Sequence, residues 1–222
     1  MESASPGTSR QAIANFIDRE SPPDTDPNSK FWTDASRVIA EGNFYGNSIE
    51  GHRTEILLQW TPQNLYLLFV CPYQELNLKP NPNLTTETYE LWDWDVAEVF
   101  IGDDFKNIRR YKEFEVSPQG EWVDLDVNLD NPPHETGWVW QSGCEVAARI
   151  DAPRKTWYGF MRIPWPAIDS RPLAAGNELR INFYRCQGSD PDRKYIAWQP
   201  VHRKSFHTPE SFGTLKLVVR AR

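Results

Sequence analysis

Trp92 and Trp94 stand among acids in the run Glu90-Leu91-Trp92-Asp93-Trp94-Asp95, which leads directly into Val96-Ala97-Glu98-Val99-Phe100-Ile101. The second stretch alternates with a period of two. Ala97, Val99 and Ile101 fall on one face of a strand, and Val96, Glu98 and Phe100 on the other. A flat indole ring beside a carboxylate is a pairing suited to a sugar, whose C–H faces stack on the ring while its hydroxyls donate to the acid. The competing reading of the same residues is a half-buried edge strand with tryptophans packing its rim.

The elements that must position these residues are short strands. Thr54 to Trp60 places Ile56, Leu58 and Trp60 on one face, and Asn64 to Cys71 is almost wholly apolar, as expected of a central strand covered on both sides. Between them Thr61-Pro62-Gln63-Asn64 has the chemistry of a tight turn, so a hairpin is expected. Residues 72–90 hold Pro72, Pro80 and Pro82 and form a long polar loop leading into the tryptophans. Tyr111 to Ser117 alternates again, with Lys112, Phe114 and Val116 facing one way and Tyr111, Glu113 and Glu115 the other. Glu145 to Ile150, Trp157 to Ile163, Glu178 to Arg185 and Leu215 to Val219 read as further strands, and Pro164-Trp165-Pro166-Ala167-Ile168 as one short helix begun by proline. The pattern predicts an all-β chain, an antiparallel β-sandwich with little helix. Residues 1–30 read as a polar, extended N-terminal arm, and residues 31–222 as a single domain opening at Phe31-Trp32.

Composition narrows the function further. The 222 residues carry a formal net charge of −7, which argues against a nucleic-acid partner. Cys71, Cys144 and Cys186 form an odd set without Cys-x-x-Cys spacing and read as free thiols. Met1 to Glu20 lacks the apolar core of a secretory signal, and no later run is long enough to span a bilayer, so the expectation is a cytoplasmic chain without a membrane partner, or a secreted one if a signal was removed. Ten tryptophans are more than a core of this size needs, which leaves some for half-wet surfaces.

The order of the motifs resembles the family 9 carbohydrate-binding modules, β-sandwich sugar binders often attached to xylanases. The resemblance is carried by Thr54-Glu55-Ile56 with Asn64-Leu65-Tyr66, Trp92 through Asp103 and Phe114-Glu115-Val116. It continues through Trp157 with Ile163-Pro164-Trp165, Asn182-Phe183, Trp198 with Pro200, and Pro209-Glu210-Ser211-Phe212-Gly213. It implies two aromatic rings clamping a terminal sugar, falling on Trp92 and Phe206; the two-residue offset of Trp94 from Trp92 offers a third, weaker ring on the same side. It also implies a strand glutamate at Glu98 and an amide position occupied here by Arg203. Where the family has a binding arginine after the strand phenylalanine, this chain has Glu115, which exchanges a cation for an acceptor and puts two carboxylates on one face. Arg203 is expected to return the lost positive charge. Uronic acids are then expected to bind poorly unless calcium bridges them, and the implied partners are a carbohydrate and a separate glycoside hydrolase in carbohydrate catabolism.

Rival readings use the same residues. A glycoside-processing enzyme would use Glu98 and Glu115 as its acid pair, though no Gly-x-Ser-x-Gly, His-Glu-x-x-His or phosphate loop accompanies them. A structural sandwich that has lost sugar binding would leave the pair as a solvated face neutralised by Arg109, Arg110 or Lys112. The resemblance also implies structural calcium, for which Asp93, Asp95, Asp103 and Asp104 offer oxygen ligands without a recognisable ligand spacing. His52, His134, His202 and His207 sit singly in polar segments and read as surface histidines.

Overall fold

The computed structural model describes residues 10–171 and 173–219. Its strands in chain order are β1 (Gln11–Phe16), β2 (Ser36–Ala40), β3 (Thr54–Trp60), β4 (Asn64–Pro72), β5 (Val96–Gly102) and β6 (Arg110–Val116). They continue as β7 (Trp122–Asn128), β8 (Glu145–Asp151), β9 (Thr156–Pro164), β10 (Glu178–Gln187), β11 (Lys194–Ala197) and β12 (Gly213–Val218). The one α-helix, α1 (Trp165–Ile168), is a single turn, and isolated 3-10 turns occur at Leu91–Asp93, His134–Trp138 and Pro209–Ser211. No helix among the described residues is long and apolar enough to cross a membrane.

Hydrogen bonding runs through the strands in the order β7-β6-β5-β10-β12-β1-β3-β4-β9-β8, with β2 added to β3 and β11 to β10. The two halves of this path fold onto each other. Ala97, Val99 and Ile101 of β5, Phe114 and Val116 of β6, and Ile181 and Phe183 of β10 share one core with Leu65, Leu67 and Phe69 of β4 and Met161 and Ile163 of β9. The alternation read from β5 and β6 therefore holds, because a strand side chain either enters the space between the layers or leaves it. The layers approach closely at Gly159, where an added Cβ would lie 2.8 Å from Val116 and from the Trp157 ring. A side chain has no room there.

The expected boundary at residue 31 is corrected by β1. This strand lies parallel to both β12 and β3 and joins the two layers, with Ala12 and Ala14 buried. Small alanines make its alternation hard to read, yet they let the strand fit where the layers meet. The rest of the segment is docked as well. Phe31 and Trp32 cover Leu57, Tyr66, Leu68 and Phe160 on the outer face of β3, β4 and β9, and Glu20 accepts hydrogen bonds from Asn64 and Tyr66. Residues 1–9 of the expected arm lie outside the described residues. β7 and β11 are absent from the sequence expectation, although Val123, Leu125 and Val127 alternate with Asp124 and Asp126 in a clear strand pattern.

Candidate functional site

The opposite face of β5, β6 and β10 is the base of the site. Val96 and Phe100 of β5, Tyr111 of β6, Tyr184 and Cys186 of β10, and Leu125 of β7 pack there with Phe206 and Phe212 into a second apolar cluster. Above them opens a cleft of about 820 Å³, within the usual range of small-molecule sites. Trp92, Glu98 and Phe206 all line it, as do Phe44, Glu113, Arg193 and Tyr195. Residues far apart in the chain thus meet around one space.

The tryptophan turn is held from beneath. Glu90 takes a left-handed conformation (φ 60°) as the chain enters the 3-10 turn that carries Trp92. Arg193 then donates to the carbonyls of Trp92 (2.7 Å), Asp93 (3.1 Å), Trp94 (2.8 Å) and Gly188 (2.9 Å). A planar guanidinium can serve several carbonyls at once because its donors diverge in one plane. Asp95, fully buried, ties the same corner by accepting from the backbone N–H of Gly188 (2.6 Å), that of Asn77 (3.1 Å) and Gln187 Nε2 (2.6 Å). Trp92 is left half-buried with its ring edge-to-face on Tyr89 (5.4 Å). Phe206 is more enclosed: it stacks on Tyr184 (4.1 Å, 18°) and leans on Phe44 (5.1 Å). Phe44 in turn stacks on Tyr195 (4.9 Å, 22°), so one side of the cleft is a continuous aromatic surface.

Strand register decides the acidic floor. Glu98 of β5 lies directly opposite Glu115 of β6, and Glu113 lies two residues along the same face, opposite Phe100. All three are buried. Cys186 Sγ donates to Glu98 Oε1 at 3.3 Å. Burial pushes Glu98 up to about 7, and burial with the neighbouring Glu98 charge pushes Glu113 up to about 8. Glu115 is raised well above the carboxylate range by burial and by both neighbours. Desolvation disfavours each charge, and like charges on adjacent strands add to that cost.

Several sequence expectations are corrected here. Arg203 is exposed and does not line the cleft, so it does not return the positive charge. Arg193 is the guanidinium that faces Glu98, and Lys204 is the lining residue on the loop that carries Phe206. Trp94 is half-buried and not part of the lining. The solvated acidic face does not exist either, since Arg109 pairs with Asp130 (2.5 Å) and Lys112 with Asp126 (2.6 Å) while Glu98 and Glu115 are buried. Asp93, Asp95, Asp103 and Asp104 do not converge on a point among the described residues, and Asp95 already accepts three N–H donors.

Two of the histidines read singly come together. His134 Nε2 and His207 Nε2 are 2.9 Å apart, and Tyr111 Oη sits 2.6 Å from His207 Nδ1. His207 is held down to about 3 by burial and by His134. Glu113 and Tyr195 were also missing from the expected site. Glu113 shares the parity of Glu115 on its strand and was legible from that. Tyr195 carried no signal, because β11 is only four residues long.

Residues 153–217, which run from the turn before β9 into β12, match the sequence model of carbohydrate-binding family 9. Among curated proteins, the chain is 26% identical over 131 residues to human UPF0462 protein C4orf33, covering 55% of this chain and 59% of that protein. It is 25% identical over 141 residues to an extracellular protein of Arthroderma benhamiae, covering 58% of this chain and 63% of that protein. The matches thus span about three fifths of the length of these relatives. A family 9 carbohydrate binding module from Caldicellulosiruptor kristjanssonii, solved with cellotriose, superposes with a TM-score of 0.66 at 14% identity and covers 95% of each chain. The same module with glucose gives a TM-score of 0.66 at 14% identity, covering 95% of this chain and 97% of that one. The chain therefore has the fold of the family 9 carbohydrate binding modules over nearly its whole length, and residues 153–217 carry the sequence pattern of carbohydrate-binding family 9.

Proposed function

We propose that this domain binds a neutral carbohydrate in the cleft between Trp92 and the Phe44–Tyr195–Phe206 surface, without chemically altering it. The observation that carries the reading is that Trp92 and Phe206, with Glu98 below them, line one cleft. Apolar rings offer stacking surfaces for the C–H faces of a pyranose, and Glu98 and Glu113 offer acceptors to its hydroxyls. Lys204 and Ser205 add donors from the rim. The family 9 module whose fold this chain shares is solved with cellotriose and with glucose, and β-linked glucose is accordingly the first ligand to try. Binding rather than hydrolysis is favoured by the placement of the acids. Glu98, Glu113 and Glu115 share one floor on two adjacent strands, whereas a glycosidase flanks the scissile bond with its two carboxyl groups. A binding domain of this kind would serve carbohydrate catabolism beside a separate glycoside hydrolase.

Calorimetric titration with glucose, cellobiose and cellotriose tests the reading. Wild-type protein is expected to bind at least one of them. Trp92→Ala is expected to lose about 1–3 kcal/mol of that binding, the scale of a central aromatic contact, while its melting temperature stays near that of the wild type. Equal binding by wild type and Trp92→Ala would show that this cleft is not the sugar site.

A further inference from the structure

Among the described residues, three acids converge on one point. Glu98, Glu113 and Glu115 each offer an oxygen within 4.8 Å of the other two, and none is more than 3% exposed. Two oxygens bound to one divalent cation at about 2.1–2.5 Å lie roughly 3–4.8 Å apart, depending on the angle between them. The spacing is that of a chelating set.

The protein itself supplies little to balance this charge. Glu113 Oε2 and both oxygens of Glu115 accept no hydrogen bond from a described residue. Glu98 has only the weak Cys186 thiol donor. Arg193, the guanidinium facing Glu98, has the donors of both terminal nitrogens committed to four backbone carbonyls. Any two of these carboxylates ionised together would put two negative charges in a buried place, and buried anions need a partner. A divalent cation balances both at once.

We propose that Glu98, Glu113 and Glu115 form a divalent-cation seat in the floor of the cleft. Its primary donors are hard carboxylate oxygens, and His207 Nε2, 3.9 Å from Glu113 Oε2, is the adjacent nitrogen. That nitrogen is engaged by His134 Nε2 at 2.9 Å, so the protein's own ligands in the seat are the three carboxylates. Three converging carboxylates suit Mn²⁺ better than Mg²⁺, which prefers to keep its water. Because Glu98 and Glu113 line the cleft, the remaining coordination positions face the space a ligand enters. The seat stands whether or not that ligand is a sugar.

The test is titration of the chelator-treated full chain with MnCl₂, followed by electron paramagnetic resonance and calorimetry. One Mn²⁺ per chain is expected to bind saturably, and Mn²⁺-soaked crystals are expected to show an anomalous-scattering peak enclosed by the three carboxylates. The double variant Glu113→Gln/Glu115→Gln preserves volume and removes two anionic ligands. It is expected to weaken Mn²⁺ binding more than tenfold, since even outer-shell substitutions cost about 10–100-fold. Absence of saturable binding, a peak elsewhere, or unchanged affinity in the double variant overturns the proposal. If the double variant does not fold, the position of the peak in the wild-type crystal decides.

Discussion

Replacing Arg193 by Met probes how the cleft is held open. The methionine keeps an apolar stem against Tyr195 while removing every donor. Four carbonyls lose their guanidinium partner, and three of these contacts, to Trp92, Trp94 and Gly188, are part-buried. The carbonyl of Asp93 is bonded at the exposed surface and recovers a bond from water. At about 1 kcal/mol net for each part-buried bond, the variant should lose about 3 kcal/mol. For a chain of this size that corresponds to a fall in melting temperature of about 6–12 °C. The effect should exceed that of Arg193→Lys, because a lysine ammonium can reach only some of these carbonyls. Thermal and urea unfolding followed by tryptophan fluorescence measure the loss. Sugar binding should weaken in parallel as Trp92 loses its anchored backbone. A variant that melts within a degree of the wild type would refute the claim that Arg193 holds the tryptophan turn.

Two further outcomes are expected. Asp124 is buried on β7, and burial pushes its carboxyl up from 3.8 to about 6. An acid raised in this way contributes stability that is fully present below about pH 4 and lost as pH rises through about 6, so Asp124→Asn should gain about 3 kcal/mol on the wild type between pH 4 and pH 7; urea midpoints across that range check it, and a constant difference refutes it. Glu115→Arg places a guanidinium between Glu98 and Glu113. It should fold, bind no Mn²⁺ and change which sugars are retained in a calorimetric screen, and an unchanged ligand profile would mean that residue 115 does not act on the ligand.

The faces of the strands were legible because strand periodicity is local. Val96 to Ile101 and Tyr111 to Val116 divide into two sets whatever their partners are, and those sets became the inter-layer core and the base of the cleft. The Thr61–Asn64 turn and the proline-started helical turn were legible for the same reason, since local chemistry sets backbone geometry there. Gln11–Phe16 resisted reading because its buried residues are alanines. Its place between β12 and β3 is set by parallel pairing across nearly the whole chain.

The division is sharpest at the site. By itself the sequence determined that Glu98 leaves the core face of its strand, that Glu113 and Glu115 share a face, and that Trp92 precedes the strand in a turn. Only the tertiary structure decided that Glu98 lies opposite Glu115, that Arg193 rather than Arg203 faces Glu98, and that His134 and His207 meet beside Glu113. Side-chain direction along a strand follows from backbone pleating and needs no partner. Which strands become neighbours, and which loops close over them, depends on burying the apolar faces of many strands together, and no local window of sequence contains that information.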